Sequence, residues 1–184
     1  MRLLRRLTLV PLLALSGANV FALEWRQTVI EAKTEPFQQI LSIVFDFKNA
    51  GGKPVVVQEI QTSCHCLSAT SDKQVYAPGE TGQLTAKFTI GDRNGLYERQ
   101  ITVISDDSSS PQRLTVKIDV PDVATATPRS REWAIGSPAS EQTVEVRAGD
   151  NLYLEFSEAV STRKIFEARL EVIEAGHLYK LHLK

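Results

Sequence analysis

Residues 83–90 read Gln-Leu-Thr-Ala-Lys-Phe-Thr-Ile, with Leu84, Ala86, Phe88 and Ile90 on one parity and Gln83, Thr85, Lys87 and Thr89 on the other. A period of two with one apolar face marks a strand half-buried on a core. The stretch follows Tyr76-Ala77-Pro78-Gly79-Glu80, whose proline and glycine punctuate a turn. Further upstream, Leu41, Ile43, Phe45 and Phe47 repeat the alternation against Ser42, Asp46 and Lys48, and Asn49-Ala50-Gly51-Gly52 ends that strand. The run PVVVQEIQTSCHC starts on odd parity at Val55 and Val57 but continues on even numbers at Ile60 and Thr62. A bulge or bend near Gln58 and Glu59 repairs the mismatch.

Downstream, Asn94-Gly95 is a tight-turn signal before Tyr97, Ile101 and Val103. The polar loop DDSSSPQ then leads to Leu114, Val116, Ile118 and Val120, which stop at Pro121. LEWRQTVIEAK, with Trp25 and Val29, supplies a first strand. Short alternating strands spaced by Gly, Pro, Asn and Ser turns, with almost no helical periodicity, predict an all-β fold: an immunoglobulin-like antiparallel β-sandwich over residues 23–121, of the usual size of about 100 residues. Residues 122–184 predict a partial second β-sandwich module. It opens on the polar connection DVATATPRS and carries QTVEVRA, NLYLEF, FEARLEV and HLYKLHLK as candidate strands. Such a module either packs on the first domain or relies on a partner to cover an edge strand.

The chain opens with Arg2, Arg5 and Arg6, an apolar run from Leu7 to Leu15, and small residues up to Ala22. That order predicts a signal peptide over residues 1–22, and the run falls short of the roughly 20 residues that span a bilayer. The protein is therefore expected to be exported, periplasmic or extracellular in a bacterium, with no membrane span in the mature chain. Removing three arginines and no acid from a chain of net charge −1 leaves a mildly acidic protein. No basic cluster supports nucleic acid as a partner. An oxidising compartment lets the two cysteines, Cys64 and Cys66, pair where geometry permits.

Four separated elements occur in order: Phe45-x-Phe47-x-Asn49-x-Gly51, Ser63-Cys64-x-Cys66, Pro78-Gly79-Glu80, and Gly95 after Asp92-Arg93. Together, over about residues 24–120, they resemble the bacterial domain-of-unknown-function 1573 family. The resemblance implies an exported protein with an immunoglobulin-like fold, and no enzymatic activity attaches to it. His65 stands where that family often has glycine, and Leu67 where threonine is usual. The tail after Pro121 looks like the family's second module cut short.

Cys64, His65 and Cys66 are the residues with distinctive chemistry, and four readings stay open. In a regular strand, residues i and i+2 lie about 6.6 Å apart, near the upper limit of about 6.8 Å for bridged cysteines. A disulfide there requires the chain to bend, and its tiny loop contributes little stability. Two thiolates with His65 suit a soft ion, copper(I) or zinc, although two cysteines are too few for a closed structural zinc site and His65 has the wrong parity in a straight strand. A redox pair would lack a helix N-terminus or neighbouring cations to activate it. The preferred reading continues the apolar face of Ile60 and Thr62 into the core, with cysteine as a small hydrophobe. A straight chain from Thr62 to Leu67 makes the cysteines core; a turn lets His65 join them.

No G-x-S-x-G elbow, phosphate-cradling loop or H-E-x-x-H pair occurs in the sequence. Asp106-Asp107 and the serines after them lack the spacing of a calcium loop. Trp25 and Trp133 are read as core plugs or inter-domain contacts. The chain is expected to be a non-catalytic binding or scaffolding protein with an unknown protein partner and no cofactor. The alternative is soft-metal or thiol-redox work at Cys64, His65 and Cys66.

Overall fold

The computed structural model describes residues 22–136, 138, 140–162 and 167–184. Apart from Ala22, the expected signal peptide lies outside them. Every regular element among the described residues is a strand, and the strands form three sheets.

Two sheets face each other. The first joins β1 (Leu23–Trp25), β3 (Ile40–Asn49), β7 (Thr81–Thr89) and β5 (Leu67–Ser71), in that order. The second joins β2 (Val29–Lys33), β9 (Gln112–Val120), β8 (Gly95–Ser105), β4 (Val55–Thr62) and β6 (Val75–Tyr76). All these pairings are antiparallel except β2 with β9, which is parallel from Val29 opposite Thr115 to Lys33 opposite Asp119. The arrangement is an immunoglobulin-like sandwich. Its core comes from the alternating residues: Ile43, Phe45, Phe47, Leu84, Ala86 and Phe88 from one sheet meet Ile101, Val103, Leu114, Val116 and Ile118 from the other.

An aromatic stack closes one end of this core. Trp25 lies 4.6 Å from Phe47, whose ring meets Tyr76 edge-on at 4.7 Å. Gly82 permits the approach: a Cβ there would come within 2.3 Å of Tyr76 Cε1 and 2.5 Å of Phe47 Cζ. Trp25 Nε1 donates to Gln112 Oε1 at 2.8 Å, which ties the stack to the opposite sheet.

The third sheet, in the order β10 (Ala124–Thr127), β11 (Gln142–Ala148), β13 (Leu178–Leu183) and β12 (Ala168–Glu174), is antiparallel throughout.

One of the local expectations holds and several change. The bulge near Gln58 and Glu59 is present, as a register shift between Val57 and Glu59. The predicted first strand is two short strands in different sheets, and Val29 is exposed. Asn94-Gly95 is not the tight turn itself: the turn lies at Gly91 and Asp92, closed by Arg93 N donating to Ile90 O at 3.3 Å, and Gly95 already opens β8, in the other sheet from β7. DVATATPRS contains β10, and NLYLEF forms no strand. In the latter, Asn151 takes a φ of 60°, and Leu154 N donates to Gly176 O at 2.9 Å instead of joining a ladder. β12 begins at Ala168; Phe166 of the expected strand FEARLEV lies outside the described residues.

Candidate functional site

The strand expected to run through the cysteines ends at Thr62, and β5 starts at Leu67 in the other sheet. Residues 63–66 are the turn between them. Thr62 Oγ1 and Leu67 N both donate to Cys64 O, at 3.3 and 3.2 Å. Ser63 holds the turn to β8: its N donates to Gln100 O, and its Oγ accepts from Gln100 N, each at 3.0 Å. On the far side Thr89 N donates to Cys66 O at 2.8 Å. Bending shortens the Cα separation of Cys64 and Cys66 to 5.2 Å, and the two sulfurs form a disulfide. This corrects the picture of two unpaired cysteines in a straight strand, although both do pack half-buried against the core. His65 is exposed at the tip, in a shallow groove with Ile60, Thr62 and Cys64.

A larger feature lies on the third sheet. Strand alternation and register place Val144, Val146 and Ala148 of β11, Tyr179, Leu181 and Leu183 of β13, and Ala168, Leu170 and Val172 of β12 on one face. Ala124 and Ala126 of β10 extend it. In a sandwich this face would meet a second sheet. Here residues 150–162 cross it as irregular chain: Phe156 packs edge-on against Tyr179 at 5.0 Å, and Tyr179 Oη donates to Leu154 O at 2.7 Å. A groove of about 290 Å³ between Ala159, Val160, Ala168, Leu181 and Leu183 remains open. Val172 is 58% exposed and Val160 71%. β12 is one of the two outermost strands, with no described strand on its far side.

The opposite face is polar. Glu145, Lys180 and Glu171 lie side by side across three strands, with Thr143, His182 and Arg169 as the next row. His182 Nδ1 lies 2.8 Å from Glu141 Oε1, and Nε2 lies 2.6 Å from Glu171 Oε2. Two carboxylates at the two ring nitrogens require both to donate, so the imidazolium is favoured. The hydrogen bonds to Glu141 and then Glu171 hold the His182 pKa above its ordinary value, and the same bonds hold both glutamates below theirs. The clamp ties β12 to β13 and to the entry of β11.

Of the expected residues, then, Cys64 and Cys66 are joined and His65 stands exposed between them. No group of three His, Cys, Asp or Glu side chains placed to hold a metal occurs among the described residues. The Glu141–His182–Glu171 clamp was not expected, because its members are 11 and 41 residues apart. Parity within β12 and β13 was its only trace in the sequence. No helix among the described residues is long and apolar enough to cross a membrane.

No curated protein matches the chain. Among solved structures, a protein of unknown function from Porphyromonas gingivalis W83 is 17% identical, with a TM-score of 0.48, over 55% of this chain and 50% of that one. The VesB protease of Vibrio cholerae is 16% identical, with a TM-score of 0.43, over 54% of this chain and 31% of that one. The ASH / PapD-like domain 7 of human CEP192 is 11% identical, with a TM-score of 0.46, over 63% of this chain and 97% of that one. The chain thus spans half the length of the Porphyromonas protein and under a third of the Vibrio protease. The family model described as "Protein of unknown function (DUF1573)" matches residues 23–120, the whole of the sandwich, and the chain belongs to that family.

Proposed function

We propose that the protein is exported and non-catalytic, and that it works by holding another protein chain on its C-terminal sheet. The observation that carries this reading is the incompletely covered apolar face of β10–β13, which continues to the open edge of β12. A sheet edge gives a partner's backbone its hydrogen bonds, and an apolar face beside it gives affinity. The arginines and apolar run before Ala22, together with a disulfide between the two cysteines, support export to an oxidising compartment. A photo-crosslinking amino acid at Val172 in cells is expected to form adducts with a protein, and the same group at Glu145 on the polar face is not. No adduct at Val172 would sink the reading.

A second reading rests on the turn at residues 63–66. A disulfide on a half-exposed turn beside His65 is open to thiol exchange, and its reduction would free two sulfur ligands for copper(I) or zinc. Thiol titration and metal analysis, before and after mild reduction, are expected to show stoichiometric metal in the reduced protein that Cys64→Ser loses. Two thiols that take up no metal and exchange with no disulfide would remove this reading.

A further inference from the structure

We infer that the open edge of β12 is covered by β12 of a second copy of this chain, antiparallel, with Leu170 opposite Leu170. The inference rests on the reading of the C-terminal sheet as the binding surface and names its occupant.

The backbone sets which groups are available. Glu167 N donates to Lys184 O at 2.7 Å and Glu167 O accepts from Lys184 N at 3.0 Å. Glu167 therefore turns both polar groups toward β13, and so do Arg169 and Glu171, two and four residues on. Ala168, Leu170 and Val172 turn theirs the other way, to the edge. Sheet edges that stay single are usually protected by lysine, proline or an inward charge. β12 has no lysine or proline, and its Arg169 and Glu171 lie on the polar face rather than pointing inward.

The side chains then choose the register. A two-fold pairing centred on Arg169 sets arginine against arginine, and one centred on Glu171 sets glutamate against glutamate. Like charges directly opposite are destabilising. Centring on Leu170 places Arg169 of each copy opposite Glu171 of the other. Both pairs fall at non-hydrogen-bonded positions, where side chains approach most closely. The same register sets Ala168 opposite Val172 and Leu170 opposite Leu170, all on the apolar face. The outward backbone groups of these three residues pair reciprocally, and the two sheets become one. The Glu171 oxygen that meets His182 is Oε2, so Oε1 is left for the neighbouring arginine. A heterologous strand would need its own matching charges; a second copy carries them by symmetry.

Sedimentation of the full chain over a range of concentrations tests this. The wild type is expected to dimerise. Arg169→Glu, at an exposed position, places two glutamates opposite two glutamates and should weaken the dimer by about tenfold or more. Glu171→Arg should do the same, and the double variant Arg169→Glu/Glu171→Arg should restore association. Circular dichroism and thermal melting report whether each variant is folded. Because Glu171 also bonds His182, Arg169→Glu is the deciding single variant. A wild type that stays monomeric overturns the inference, as does a dimer indifferent to Arg169→Glu or a folded charge swap that does not recover. The photo-crosslink at Val172 separates this from the broader reading. A monomer whose adducts are all to a different protein overturns self-pairing alone, whereas a monomer with no adduct overturns both.

Discussion

Asn49 explains two of the four sequence elements at once. It is fully buried; its Nδ2 donates to Lys53 O and Tyr76 O, each at 2.8 Å, and its Oδ1 accepts from Gly51 N at 2.9 Å. Its backbone meets the Pro78-Gly79-Glu80 turn, with Asn49 N donating to Glu80 O at 2.8 Å and Asn49 O accepting from Gly79 N at 2.7 Å. The two glycines serve different ends there. Gly79 takes a φ of 78°, whereas at Gly51 a Cβ would crowd Asn49 Oδ1 at 3.1 Å and Ala22 Cβ at 3.2 Å. Truncating Asn49→Ala leaves buried carbonyls unpaired and should cost about 3 kcal/mol in chemical denaturation, at 1–3 kcal/mol for each stranded group. Gly82→Ala forces a methyl between Tyr76 and Phe47 and should cost about 2 kcal/mol or more by the same measurement. Asn49 and Gly51 were visible in the sequence as turn residues. Gly82 was not, because its reason is two rings brought from β3 and β6. His65 is tolerated where glycine is usual because it is exposed at the tip of a turn, with its side chain clear of the core.

Among the elements, strands with one dry face were legible, and crossings between sheets were not. Alternation in β3, β7, β8 and β9 follows directly from Leu41–Phe47, Leu84–Ile90, Tyr97–Val103 and Leu114–Val120. Parity cannot say whether a chain continues in its sheet or crosses to the next. The limit shows at residues 63–66, where the alternation predicts strand and the chain turns, and at residues 90–95, where the chain leaves β7 for the other sheet. The third sheet hid one of its edges for another reason: β10 consists of alanine and threonine, with little apolar contrast. Its clamp makes the sheet sensitive to pH. The His182 pKa is raised on folding, so its contribution is fully present below the ordinary histidine value of 6.5 and is lost as pH rises through the higher folded value. The glutamate pKa values are lowered on folding, so their contribution is fully present above 4.5 and is lost as pH falls through the lower folded values. The sheet should therefore be most stable between about pH 4.5 and 6.5 and weaken above it. His182→Gln should flatten the alkaline limb of its melting profile, and an unchanged limb would show that other groups set it.

At the scale of the whole molecule, the two parts differ in how much apolar surface they enclose. The sandwich holds Phe45, Phe88, Leu84, Ile101, Leu114 and Val116 with at most 1% exposure, whereas the third sheet buries Val144, Ala148 and Tyr179 and leaves Val172 and Ile173 open. Local opening free energies follow such differences in buried contacts. Hydrogen exchange should find the slowest amides in β3, β7, β8 and β9, with those of β10–β13 exchanging about a hundredfold faster or more. Equal protection in both parts would contradict a sheet short of cover. The overall class and the extent of the sandwich were readable because each strand declares its buried face. The incomplete state of the C-terminal sheet was readable only as a shortage of strands.

The parallel ladder of β2 on β9 has a mechanical consequence. Tension between residue 28 and residue 120 would pull the start of β2 and the end of β9, which lie at opposite ends of the pair. The ladder is then loaded in shear, its hydrogen bonds together, where an antiparallel pair pulled from one end would unzip them in turn. Rupture under such a load is governed by the unfolding rate. A chain held at its C-terminal sheet and pulled from its N-terminal side would thus, once β1 has left β3, meet that force with β2 and β9 in the resistant direction.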